Sequence, residues 1–293
     1  MKTLCFIHSG RADLPELNAY RSYFSERYQM DIKTEPVDLQ QYDIVWFFMG
    51  FYRYKPLAHQ FMVHEFASLS LPPLAGCKDW LKKQALPLPH LRIFQNENQR
   101  SLMSFRDQVP TLTRDMGISR EFLQLQEKTK DFDLIYIGSM DKTRQLTAIL
   151  LRLLSIKPDI RVAMVGDAPA ALKQQFADKP QILFAGRVHH QDIPGWLERS
   201  AVGLNAVPNL RPYKFQTSTK LMEYAAAGLP VLGYLNDWTK NFLSRYSVQY
   251  ADLDQLQSWP PQFENSTILP KINDELLWER VIARSGVEHY LPE

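Results

Sequence analysis

Apolar runs of strand length alternate along this chain with stretches whose apolar residues recur at helical spacing. "KTLCFIHSG" (2–10) is a short apolar run closed by Gly, and "LPELNAYRSYFSERY" (14–28) follows with helical periodicity, so strand, loop and helix open the chain. "YDIVWFFMG" and "HQFMVHEF" are two further runs rich in aromatic and β-branched residues. Four prolines in "PPLAGCKDWLKKQALPLPH" (72–90) leave room for one short helix between loops, after which "LRIFQNENQRSLMSF" resumes strand and helix. "SREFLQLQEKTKD" (119–131) is polar after an apolar start and is read as the domain boundary.

Beyond the boundary the alternation is regular. "FDLIYIGSM", "IRVAMVGDAP", "QILFAGRV", "VGLNAVP" and "LPVLGYL" read as strands; "TRQLTAILLRLLSIK", "AALKQQFA", "IPGWLERS" and "STKLMEYAAAG" read as the helices between them. Strands separated by helices predict βαβ units and a doubly wound, mostly parallel α/β sheet. In such sheets ligands bind beyond the carboxyl ends of the strands, so the loops leading into helices are where chemistry is expected.

Composition narrows the field. With 293 residues, 45% of them hydrophobic, the chain can bury large cores, and its length predicts two domains. No apolar run approaches the roughly 20 residues of a spanning helix, and the N-terminus lacks a secretory signal pattern, so a cytoplasmic protein is expected. A net charge of +2 argues against a nucleic-acid partner. The aromatic stretch 47–55, with Arg53 and Lys55, suits a peripheral membrane contact, although residues 44–49 read better as a buried strand. Cys5 and Cys77 are too few for a disulfide framework or a zinc site, and no metal is expected.

Four loops carry candidate chemistry. Gly138 ends a strand, and Arg144 falls at the start of the next helix, where a cation is disfavoured unless an anion is near. Gly166 ends the next strand. Gly186, Arg187 and Val188 follow a third, ahead of His189 and His190, which in a polar loop without a third ligand read as solvated. In "NLRPYKFQTSTKLMEY", Ser218 or Thr219 is a natural N-cap, and the first-turn amides with Lys220 form an anion site. Glu223 lies three residues after Lys220 on the same face. A surface ion pair and a ligand-facing pair fit that spacing equally well, the carboxylate in the second case accepting from sugar hydroxyls.

"STKLMEYAAAGLPVLG" resembles the nucleotide-sugar signature of the large retaining family of GT-B glycosyltransferases, glycosyl transferases group 1. "YIGSMDKTRQL", "VAMVGDAP" and "ILFAGRVHHQDIPGWLERSAVGLNAVP" match the same family in order over about 130–235, and "DELLWERVIARSGVEHYL" is similar to its closing helix. The resemblance implies two Rossmann-like domains, here 1–128 and 129–270, with 271–293 returning to the first. It implies transfer of a sugar from a nucleoside-diphosphate donor to a saccharide or lipid-linked acceptor in surface polysaccharide synthesis, with no cofactor or metal.

Carried over by residue, the resemblance places Gly138, Ser139, Arg144, Ser218, Thr219 and Lys220 on the donor phosphates and Glu223 on the ribose. Gly186, Arg187 and Val188 would face the base, and Lys214, Phe215 and Gln216 the donor sugar. His64 and Glu65 are the candidate catalytic pair, and Arg11 and Asp13 approach the acceptor. Three positions depart from the family: its clamp lysine is Gln145, the arginine after its first glycine is Ser139, and its second glutamate is Phe215. Two other readings remain: a nucleotide-sugar 2-epimerase-like isomerase, and a nucleotide-sugar-binding protein without turnover.

Overall fold

The computed structural model describes residues 1–10, 14–70, 73–211, 213–264 and 269–293. The chain forms two units, one of Met1–Gly117, Phe215–Thr217 and Glu275–Glu293, the other of Ile118–Lys214 and Ser218–Asp274. The first crossing falls at Gly117, ahead of the boundary expected at 128. The reason is that the polar stretch packs on the second unit: Phe122 is 1% exposed, Gln126 N donates to Glu198 Oε1 (2.9 Å), and Lys130 Nζ donates to the Glu198 carbonyl (2.8 Å).

The first unit contains β1 (Lys2–Ile7), α1 (Pro15–Tyr23), β2 (Tyr28–Lys33), β3 (Ile44–Phe48), β4 (Phe61–Phe66), α2 (Ala75–Ala85), β5 (Leu91–Phe94), α3 (Glu97–Met103) and β6 (Thr111–Thr113). Its strands form one parallel sheet in the order β2-β1-β3-β4-β5-β6. β3, "IVWFF", is buried at every position because both faces of a parallel sheet are covered. Beyond it Phe51 is exposed, with the Arg53 guanidinium 5.4 Å from its ring.

The second unit contains β7 (Phe132–Ile137), α4 (Leu146–Ile156), β8 (Val162–Val165), α5 (Ala170–Gln175), β9 (Ile182–Gly186), α6 (Ile193–Glu198), β10 (Ser200–Asn205), α7 (Thr219–Ala226), β11 (Val231–Gly233), α8 (Asp237–Leu243) and β12 (Tyr250–Asp252). The sheet, again parallel, runs β12-β11-β10-β7-β8-β9. α4 buries Leu146, Ile149, Leu150 and Leu153, the stripe that a 3.6-residue period places on one face. The last helix, α9 (Trp278–Ser285), buries Trp278, Val281 and Ile282, and Ile282 joins the first unit's core with Phe6, Tyr20 and Trp46. Among the described residues no helix is long and apolar enough to cross a membrane.

Candidate functional site

The site begins where β7, β8 and β9 end side by side. Gly138 N donates to the Val165 carbonyl and Gly166 N to the Gly186 carbonyl, each at 2.8 Å. Gly138 and Gly166 have φ of +107° and +138°, and a Cβ on Gly166 would stand 2.3 Å from the Gly138 oxygen. Only glycine fits so close an approach in that conformation. The space above Gly138 is taken by the Lys220 side chain, whose Nζ lies 5.7 Å from the Tyr136 ring centroid.

The loop after β7 is organised by Asp141. Its carboxylate accepts from Thr143 N (2.9 Å), Ser139 Oγ (2.9 Å) and Thr143 Oγ1, and these bonds with the Arg144 charge hold it below the usual carboxylate range despite its partial burial. The 3₁₀ turn Lys142–Arg144 that follows delivers Arg144 inward, its guanidinium 4.4 Å from the Tyr213 ring. Arg144 Nε and Nη1 are buried and, among the described residues, have no hydrogen-bond partner; Asp141 Oδ2 is 3.7 Å from Nε. Burial, together with the positive charge of Arg144, pushes Lys220 down to about 8. Two cations that raise each other's energy, one with buried donors unpartnered among the described residues, are a pair that an anion would stabilise.

α7 completes it. Ser218 caps the helix, accepting from Leu221 N (3.4 Å) while donating to Asn205 Oδ1 (2.8 Å), so its hydroxyl is structural. Met222 N bonds the Ser218 carbonyl, leaving the amides of Thr219 and Lys220 as the positive end of the helix. One turn on, the Glu223 carboxylate is 5% exposed and lies 2.8 Å, through Oε1, from His190 Nε2. The His190 ring packs on Phe122 with centroids 5.3 Å apart. His190 is exposed to solvent, as expected of that loop, and through Nε2 it also meets the residue expected at the ribose.

Other candidates are placed differently. Arg187 is exposed and pairs with Asp167 at 3.8 Å, a surface contact of small worth. Lys214 and Gln216 are half-buried. Phe215 packs against the first unit's cluster of Phe66, Leu69, Phe94 and Met103, and its carbonyl accepts from Asn96 Nδ2 (2.9 Å). An aromatic side chain without a polar atom is stabilised by that apolar contact, and Phe215 stays half-buried. Gln145, at the clamp-lysine position, is exposed with φ +53°.

The candidate catalytic pair is buried in the first unit. Glu65 is 1% exposed and bound on both oxygens, by Arg114 Nη2 at Oε1 and by Trp46 Nε1 (2.9 Å) at Oε2. It is a core ion pair. Its neighbour His64 points to the opposite face of β4, 2% exposed and edge-on to Phe47 at 6.0 Å. Burial, with Arg92 adding to it, pushes His64 down to about 3, which makes it a neutral core imidazole. Arg11 and Asp13 lie outside the described residues. Among the described residues no three His, Cys, Asp or Glu gather as metal ligands.

The two six-stranded parallel sheets flanked by helices match the fold of solved GT-B glycosyltransferase structures. Residues 131–236 match the family model described as Glycosyl transferases group 1, the stretch that holds Gly138, Arg144, Lys220 and Glu223. No curated protein sequence matches the chain. Among solved structures, Anabaena Alr3699/HepE in complex with UDP-glucose aligns with a TM-score of 0.63 at 12% identity, over 86% of this chain and 86% of that one. Sucrose-phosphate synthase from Thermosynechococcus elongatus gives 0.58 at 12%, over 99% and 94%. AviGT4, a glycosyltransferase involved in avilamycin A biosynthesis, gives 0.52 at 13%, over 99% and 97%. At these identities what is shared is the fold.

Proposed function

We propose that the chain is a glycosyltransferase that binds a nucleoside-diphosphate sugar, a UDP-sugar in the first instance, on its second unit. The observation that carries this reading is half-buried Arg144, whose buried Nε and Nη1 have no hydrogen-bond partner among the described residues, beside Lys220 and the start of α7. The diphosphate sits against these groups, and Glu223 accepts from the ribose. As the sugar's anomeric carbon exchanges its bond to the diphosphate oxygen for one to an acceptor hydroxyl, that oxygen gains charge and takes up the proton the hydroxyl gives up. Fixed cations and amides stabilise the developing charge, and no metal is called on for it.

The acceptor is a saccharide or lipid-linked saccharide of a surface polysaccharide, transfer retains configuration, and the protein works in the cytoplasm at the inner face of a membrane. Exposed Phe51 and its neighbour Arg53 suit that contact. The test is turnover on a panel of nucleotide sugars with saccharide and lipid-linked acceptors. Acceptor-dependent nucleotide release supports the transferase, and its loss in Glu223→Ala with the melting temperature kept supports the site. Conversion of donor without acceptor, or binding without turnover, overturns the reading.

A further inference from the structure

Glu223 is a carboxylate with little access to water, and such a group is stable as an anion only when hydrogen-bonded. Its bond partner is His190, which belongs to another segment: the 3₁₀ turn His190–Asp192 between β9 and α6. An ionised carboxylate only accepts, so His190 is the donor through Nε2 in the 2.8 Å contact. The terminal torsion of a glutamate is broad, and one hydrogen bond at Oε1 removes that freedom. The imidazole is itself held against Phe122, which is 1% exposed in the turn Arg120–Leu123. A chain of contacts from a buried aromatic through an imidazole to one carboxylate oxygen thus fixes where the other oxygen points. Among the described residues that second oxygen, Oε2, has no hydrogen-bond partner.

We propose that His190 is a positioning residue that aims Glu223 Oε2 at the ribose hydroxyls and thereby sets the preference for ribonucleotide over deoxynucleotide donors. The proposal rests on the reading that Glu223 meets the ribose. His190 does so without touching the phosphates, which belong to Arg144, Lys220 and the start of α7. Its effect therefore falls on the sugar of the nucleotide and leaves the anion site as it is.

The experiment is calorimetric titration of the full chain with UDP, 2′,3′-dideoxy-UDP and inorganic pyrophosphate. The wild type is expected to prefer UDP over the dideoxy compound by at least about tenfold, as a buried acceptor left unpaired requires. His190→Ala should reduce that preference to under about threefold while pyrophosphate affinity stays within about twofold, and His190→Gln, which keeps an N–H donor, should restore part of it. A preference lost in Glu223→Gln but intact in His190→Ala overturns the role of His190 alone. A wild-type preference near one overturns the ribose assignment and this proposal with it. Loss of pyrophosphate binding and a lowered melting temperature in His190→Ala would make the residue a prop for the fold, which also overturns the proposal. GDP and ADP with their dideoxy forms replace UDP if UDP is not bound, and failure of all three overturns the proposed function itself.

Discussion

Lys220 lies across Gly138, its Cε 2.8 Å and its Nζ 3.1 Å from where a methyl group on that glycine would stand. Gly138→Ala therefore meets both a steric and a backbone penalty, φ being +107°. Nucleotide affinity is expected to fall at least tenfold as the ammonium is displaced, with about 1–3 kcal/mol of stability lost. Gly195→Ala, in α6 with open space around its Cβ, is the control and should leave both unchanged. Titration calorimetry and denaturant unfolding of both variants check this.

Lys220 gives nucleotide binding a pH dependence. Its pKa, held down to about 8, rises when an anion arrives, so binding takes up a proton near pH 8 and affinity declines as the pH climbs through that value. For stability the sign is reversed: a folded pKa below the usual 10.5 is a cost present below pH 8, relieved between about 8 and 10.5. Lys220→Arg, charged throughout, should bind nucleotide with a flat profile. Heats of binding in buffers of different ionisation enthalpy measure the proton uptake.

His64 tests whether the histidine of β4 takes part in catalysis. A core imidazole held neutral to about pH 3, against an ordinary 6.5, contributes stability that is lost as the pH falls below 6.5 toward 3. His64→Leu is expected to remove that acid sensitivity and to keep turnover within about threefold of wild type, the tolerance of a volume-conserving core change. A loss of several hundredfold in kcat with a normal melting temperature would return His64 to the catalytic machinery.

Arg114 is the centre of the first unit's buried polar cluster: it pairs with Glu65, reaches Glu16 at 3.8 Å, and donates to Tyr20 Oη at 3.0 Å. Removing it in Arg114→Met leaves Glu65 buried and unpaired, at an expected cost of about 3–5 kcal/mol. Glu16 responds in the opposite sense to His64. Burial, against the pull of Arg114, pushes it up to about 7, so the stability it contributes is full below about 4.5 and lost as the pH rises through 7. Glu16→Gln should abolish that decline, measured as the difference in urea midpoint between pH 5 and pH 8.

The parts of this molecule that were legible in its sequence are those whose cause is local. β7 and β3 read as strands because burial on both faces makes them continuous apolar runs. β2 did not, since it pairs only with β1 at the sheet edge and buries only Tyr28 of its six residues, so it carries neither an apolar run nor a clean alternation. β6 and β12 are three residues each, too short for any period. Gly138, Arg144, Lys220 and Glu223 carry their motif in order. The ring of Tyr213 over Arg144, and His190 on Glu223, join residues 69 and 33 positions apart, and only the fold brings them together. "VHHQD" offered one signal, a ring four residues beyond a strand-ending glycine, but no local pattern tells which face of an exposed histidine bonds a buried carboxylate 33 residues on. The packing of Phe215 on a cluster more than a hundred residues upstream is likewise written nowhere in its own motif.

The short passage of Phe215–Thr217 through the first unit means that the chain crosses between units at 117/118, 214/215, 217/218 and 274/275. A gene fragment encoding 118–274 would retain Arg144, Lys220, His190 and Glu223 yet leave Phe215 without Phe66, Leu69 and Phe94 to cover it. The complementary fragment 1–117 would lose α9, whose Ile282 fills its core. A chimera that exchanges donor specificity between such proteins must therefore keep these three residues from the recipient, so that the graft brings a new nucleotide site while the recipient's own apolar cluster stays closed.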